Sequence, residues 1–235
     1  MLIRMAPTHV RFGSFEVFFY RKQHDHLKTL ADYVISGYFP HLNDDSDRYA
    51  RFLAEIARKT GIMIAHWQAV GWAHGVMNTD NMSVLGLTLD YGPYGFMDDF
   101  TPGFIPNHSD HHGRYSFQNQ PDIGYWNVRA MAQALSPLLE DADVHGAPEL
   151  YEETMFNTYS ALMQAKLGLQ ETHEGDDNFD ETCWRRCTAI MWTTQISSEP
   201  LGILSRMIPA RIQRYASNFL IAKDLIGGLK DIGPD

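Results

Sequence analysis

Apolar residues recur three and four apart in four stretches of the chain, and each stretch predicts an amphipathic helix. Leu27, Leu30, Ala31 and Val34 make the first stripe, with Asp25 placed to cap it and Gly37 and Pro40 to close it. Ser46 or Asp47 opens a longer one, in which Tyr49, Phe52, Leu53 and Ile56 share a face. That stripe continues, past a break near Gly61, through Ile64, Trp67 and Val70. Two further helices are expected at about 124–140, on Trp126, Ala130, Met131, Ala134 and Leu135, and at about 148–168, on Met155, Tyr159, Leu162, Met163 and Leu167. Residues 1–20 are ambiguous between strand and helix.

The texture changes at MSVLGLTLD. Met82–Leu85 and Leu87–Leu89 are short β-type runs parted by Gly86, which predicts two short strands. Residues 91–124 are rich in Gly, Pro, Asn, Asp and His, with aromatics throughout; a loop that long inside a compact domain is unusual and often functional. The expected fold class is mainly α with a small β insertion that carries the acidic motifs.

Composition narrows the function classes. The 235 residues suffice for one large domain or part of a bigger one. With 44% apolar residues a sizeable core is within reach. A net charge of −10 argues against a nucleic-acid partner, because phosphate backbones recruit Lys/Arg surfaces. Cys183 and Cys187 make no disulfide framework, and no apolar run approaches the ~20 residues needed to span a bilayer. MLIRMAPTHVRF lacks the continuous apolar core of a secretory signal. Together these predict a soluble intracellular protein with no membrane partner. The abrupt apolar and basic start reads like the middle of a domain.

The chemistry concentrates in HGVMNTDN, residues 74–81, and in DYGP, which starts at Asp90. Mg²⁺ takes oxygen ligands, typically one or two protein groups beside substrate phosphates. The Asn81 carbonyl and the Asp90 carboxylate, joined by a short β-type turn, suit that role. Protein kinases use H-R-D-L-x-x-x-N followed by a DFG aspartate. His74 to Asn81 keeps that spacing, but Gly75 and Val76 replace the Arg and Asp, and Asp90-Tyr91-Gly92 replaces DFG. Val76 accepts no proton, and Asp80, beside Asn81, is the remaining carboxylate. On shape alone, TDN is more often a turn or a cap than a metal site. His108, His111 and His112 suit loop hydrogen bonding better than a transition-metal site, since no third spaced cluster supports one. Trp67, Trp72 and Trp126 are expected in core or interhelix packing.

The stretches APTHVRFGSFE, HWQAVGWAHGVMNTDNMSVLGLTLDYGPYGFMDDF, NHSDHHGRYSFQNQP and AKLGL closely resemble the selenoprotein O family, whose bacterial members are often called YdiU. The resemblance runs from residue 1 to about 178. It implies a protein-kinase-like fold, of which this chain holds the catalytic (C-terminal) lobe only. It implies a protein adenylyltransferase that moves AMP from ATP to Ser, Thr or Tyr hydroxyls, with ATP inverted relative to kinases so that the α-phosphate meets the acceptor. By motif match Asp80 is the proton acceptor, Asn81 and Asp90 hold Mg²⁺ (or Mn²⁺), Asp90 also lies at the nucleotide, and Arg4 and Arg11 contact phosphate. Guanidinium forks suit that task, although two such arginines alone read as solvated surface. The resemblance also implies a cytoplasmic location, mitochondrial in eukaryotic relatives.

Two departures qualify it. No candidate for the family's glycine-rich loop, phosphate-binding lysine and partner glutamate precedes Arg4, so the wall over ATP is expected to be missing. After about Asn178 the pattern is lost. There, Cys183–Trp184 read one frame along forces Leu, Met191–Trp192 forces Val and Trp192–Thr193 forces Asp; the shifted frame permits L-A…V-D-Y-T-N-F-F-R-A-L, which fits the family. Residues 179–235 are therefore expected to be a divergent tail produced by a frameshift, with Cys183 and Cys187 carrying no function. The competing expectation is an inactive or merely nucleotide-binding remnant, from which neither α- nor γ-phosphate label would reach protein. A true kinase is disfavoured by Val76.

Overall fold

The structure, a computed structural model, describes residues 5–166. The chain divides into two compact units, Met1–Met97 with Thr101–Tyr159 and Asp98–Phe100 with Ser160–Asp235. All contacts described below lie within the first. Arg4 and the tail after about residue 178, with its two cysteines, lie outside the described residues.

The ambiguity of residues 1–20 resolves into both alternatives in turn. Residues 10 and 11 run extended beside 82–84, with Val84 N–H donating to Val10 O at 3.4 Å and the N–H of the next residue, Phe12, to Met82 O at 3.0 Å. The chain then turns into α1, Phe12–Tyr20. Helix α2, His24–Tyr38, buries Leu27, Ala31, Val34 and Ile35, the face its stripe predicts. Helix α3, Arg48–Ala69, buries Phe52, Leu53, Ile56 and Ile64.

Gly61 does not break α3. It marks the point where α5, Asp141–Lys166, passes close: a Cβ on Gly61 would stand 2.9 Å from Tyr151 O and 3.1 Å from Met155 N. The glycine is a spacer for backbone approach, the second use of a residue without Cβ. Helix α4, Gln120–Leu135, starts earlier than its apolar stripe suggests, with Pro121 in the first turn where its missing N–H costs nothing. Helix α5 also starts early, at Asp141, and carries Pro148 inside it. A Cβ on Gly124 of α4 would overlap the Tyr151 hydroxyl and the Ile64 methyl, so α3, α4 and α5 meet around one missing side chain. The buried Tyr151 hydroxyl donates to Pro121 O at 2.9 Å.

The sheet has two antiparallel strands, β1 (Trp72–Ala73) and β2 (Gly95–Phe96), in register Trp72↔Phe96 and Ala73↔Gly95. The strands expected at 82–85 and 87–89 reduce to isolated bridges, Met82↔Thr88 and Arg11↔Ser83. The turn at Gly86 (φ +64°) is too tight for a longer ladder, and it lies against Lys59 of α3. The fold is thus mainly helical with one small sheet. Its core joins α1, α2, α3 and α4, with Phe52 against Phe15 at 6.2 Å and against Phe39 at 5.3 Å between ring centroids. Trp67 and Trp72 are buried and 4.8 Å apart. Trp126 is not core: it is 46% exposed, with the Arg114 guanidinium 5.1 Å over its ring. Among the described residues no helix is long and apolar enough to cross a membrane.

Candidate active site

HGVMNTDN leaves β1 and crosses the molecule with little regular structure of its own. Only Thr79–Asn81 forms a turn of 3₁₀ helix, the turn its TDN shape suggested. Backbone groups without a ladder must find other partners when buried. Here they find side chains.

His74 is the first of these. It is 1% exposed, and its ring spans two segments. Val76 N–H points at Nδ1, at 3.3 Å, which makes Nδ1 the acceptor; Nε2 then carries the proton and donates to Leu89 O at 2.8 Å. Burial pushes this imidazole below its ordinary value, against the opposing pulls of the Leu89 carbonyl and the Asp90 charge. His74 is a neutral brace between the loop and the residue before Asp90.

Asp80 is exposed. Its carboxylate lies against Gly13 in the first turn of α1, where a Cβ would overlap its Oδ1. That end of a helix favours negative charge. Arg11, immediately before α1, donates from Nη1 to the Asp80 backbone oxygen at 2.7 Å. The Arg11↔Ser83 bridge sets this pairing, because it brings residue 11 beside the chain that has just left Asn81. One guanidinium contact is thereby spent on the loop, and the rest of the fork remains for an anion.

Asn81 is buried to 7% and its Nδ2 donates to Val76 O at 2.9 Å. The bond fixes the amide orientation: with NH₂ on a carbonyl, Oδ1 faces away as a hard oxygen donor. Asp90 is exposed and sits at φ +59°, a left-handed conformation that Asp tolerates better than most side chains. Its backbone oxygen accepts from Gly92 N–H at 2.7 Å. Asn81 and Asp90 offer a carbonyl and a carboxylate, a donor set that fits Mg²⁺ shared with phosphates better than a closed metal cage. No three of His, Cys, Asp and Glu gather to hold a metal among the described residues. The structure brings Arg11, Asp80 and Asn81 together and braces the Asp90 segment to the same loop.

His108, His111 and His112 are exposed, and the hydrogen bonding expected of them falls to their neighbours. Asp110 accepts from Arg114 N–H at 3.0 Å and Tyr115 N–H at 2.8 Å, while Asn107 Nδ2 donates to Gly75 O at 3.1 Å. Sequence reasoning also missed Gln120 and Asn127 of α4, both fully buried and both bonded to the loop. Their signal was present: polar residues at 120 and 127 share a helical face with Gly124 and Met131.

Comparison with known proteins places the whole segment in one family. Residues 1–206 match the family model described as protein adenylyltransferase SelO. The protein nucleotidyltransferase YdiU of Myxococcus xanthus is 55% identical over 176 residues, 75% of this chain and 36% of the relative. Its namesakes in Klebsiella pneumoniae and Cronobacter sakazakii are 51% and 49% identical over 178 and 179 residues, each 76% of this chain and 37% of the relative. The chain therefore spans little more than a third of the length of these relatives. A match over most of the chain, at such identity, is decisive: the chain belongs to the SelO protein adenylyltransferase family.

Proposed function

We propose that this chain carries the metal- and acceptor-facing part of a protein adenylyltransferase on a kinase-like catalytic lobe, one that moves AMP from ATP to Ser, Thr or Tyr hydroxyls of proteins. The observation that carries the reading is the clamp of Arg11 on the backbone of Asp80, with the oriented Asn81 amide next in the chain. What supports it is that a guanidinium suited to phosphate, an exposed carboxylate and an amide oxygen meet where the entry to α1 joins the 78–81 turn.

In this reading the exposed Asp80 carboxylate takes the proton of the acceptor hydroxyl. The acceptor oxygen bonds the α-phosphorus, the bond from that phosphorus to the bridging oxygen breaks, and pyrophosphate leaves. Arg11, with Arg4, binds phosphate oxygens. Asn81 and Asp90 would hold Mg²⁺, which when bound neutralises phosphate charge. Val76, half-buried where a kinase keeps its aspartate, cannot serve as base, so transfer of the γ-phosphoryl group is disfavoured.

The test grafts residues 5–166 of this chain into the longer Myxococcus xanthus relative in place of its matching segment. The graft is incubated with Mg²⁺, candidate protein acceptors and ATP labelled at the α- or the γ-phosphate. The reading predicts α-label on protein and none from γ. Label from γ makes it a kinase. Nucleotide binding without transfer, in a graft whose parent transfers, makes this segment a nucleotide-binding remnant.

A further inference from the structure

Strand β1 is paired on one edge by β2. Its other edge meets no strand among the described residues; it meets one side chain. Gln120 Oε1 accepts from His74 N–H at 2.8 Å and Gln120 Nε2 donates to Trp72 O at 3.0 Å. A carbonyl and an N–H two residues apart point to the same side of a strand, and a parallel neighbouring strand would fill them with the N–H and C=O of one residue. A side-chain carboxamide presents its oxygen and one N–H side by side and can do the same. Gln120 thus takes the place of a third strand, and it does so fully buried, where no water would substitute.

The bond to His74 has a second consequence. The ring of His74 is the brace that reaches Leu89 O, the residue before Asp90. Its main chain begins the loop that ends in Asp80 and Asn81. Seven residues along the same face of α4, Asn127 Nδ2 donates to Met77 O at 2.9 Å, which holds the middle of that loop. Asn127 Oδ1 finds no hydrogen-bond partner among the described residues, so its hold on the loop is through the donor alone. Helix α4 is packed against α1 and α3.

We infer that Gln120 is a positioning residue for the reaction: by holding His74 it sets Asp90 relative to the Asp80–Asn81 pair, and so sets the geometry in which the metal is held. The inference rests on the metal assignment made above. It also explains the residue type. A carboxylate at 120 accepts but cannot donate to Trp72 O, and an apolar side chain does neither.

The test uses the full ¹⁵N-labelled chain, Mn²⁺ alone as the probe, and two variants. Gln120→Met keeps the length and loses both bonds. Gln68→Met removes another buried amide, whose Nε2 donates to Phe117 O at 2.9 Å, away from the loop. Mn²⁺ is expected to broaden the Asn81 and Asp90 amides together in the parent and in Gln68→Met. Gln120→Met should need about tenfold more Mn²⁺ for the same broadening, the low end of what disturbing the hydrogen bonds behind a metal site costs. Equal Mn²⁺ requirements in the parent and Gln120→Met overturn the inference. If the parent itself shows no broadening at 81 and 90, the metal assignment fails, and the metal-free spectra then decide. Asp90 and Gly92 amide shifts that move in Gln120→Met and not in Gln68→Met support positioning; shifts that stay put overturn it. Should Gln120→Met not fold, Gln120→Asn, which keeps an amide but withdraws it by one methylene from both His74 and Trp72, is read in the same way.

Discussion

Two regions of this molecule are held by different physics. Around Gly124 the helices α3, α4 and α5 fit by volume: a buried tyrosine and an isoleucine fill the space a single Cβ would claim. The loop from His74 to Asp90 has almost no ladder, and its buried stretch is fixed by side chains of α4, by His74 and by Asn81. The first region stores stability and tolerates no added atom. The second stores geometry, and each of its bonds has a backbone group as partner. Damage to the first should show as unfolding; damage to the second should show as a displaced site in a protein that still folds.

The comparison can be broken in order of size. Phe52→Ala empties the centre of the core, where the ring meets Phe15 and Phe39, and should lower stability by about 3–5 kcal/mol in denaturant unfolding. Gly124→Ala adds one methyl against Tyr151 and Ile64 and should cost about 1–3 kcal/mol, with a lower melting temperature. A melting temperature equal to the parent's would show that the crossing is looser than described.

Asn127→Leu leaves Met77 O buried without a donor. It should cost about 1–3 kcal/mol, and faster amide exchange should be confined to residues 74–81. Uniformly faster exchange would erase the distinction between the regions.

The smallest effect is a pH dependence. His74 is held below its ordinary value by burial, so the unfolded chain binds the extra proton first as pH falls. Stability from this group is therefore complete above about pH 6.5 and declines as pH drops below that toward the folded value. Melting temperatures measured across that window should fall in the parent, and the portion due to His74 should vanish in His74→Asn.

What was legible in the sequence follows the same division. Helices α2 and α3 were readable because a stripe of Leu, Val and Phe at helical spacing has one stable solution. Gly61 was misread as a break, since a glycine that permits close backbone approach looks the same in sequence as one that ends a helix. The strands at 82–85 and 87–89 were over-read because half of their pairing comes from residues 10–12, some seventy positions away. Pro148 sits inside α5, at a position where sequence rules place a helix start. Trp126 faces outward because α4 turns Gly124, Asn127, Val128 and Met131 inward instead.

Of the proposed site residues, Asp80, Asn81 and Asp90 stand out by local, motif-like spacing, and Arg11 only through the family resemblance. Their supports do not. Gln120, Asn127 and Asn107 act through hydrogen bonds to backbone groups 32 to 50 residues away, and no periodicity records such a bond.

The central claim is that Asp80, clamped by Arg11 and left exposed, is the group that takes the acceptor's proton. The initial rate of AMP transfer from α-labelled ATP by the graft, with and without Asp80→Ala, tests it most directly. The account predicts a loss of about 10²–10⁴-fold at an unchanged melting temperature. Transfer at the parental rate would contradict it.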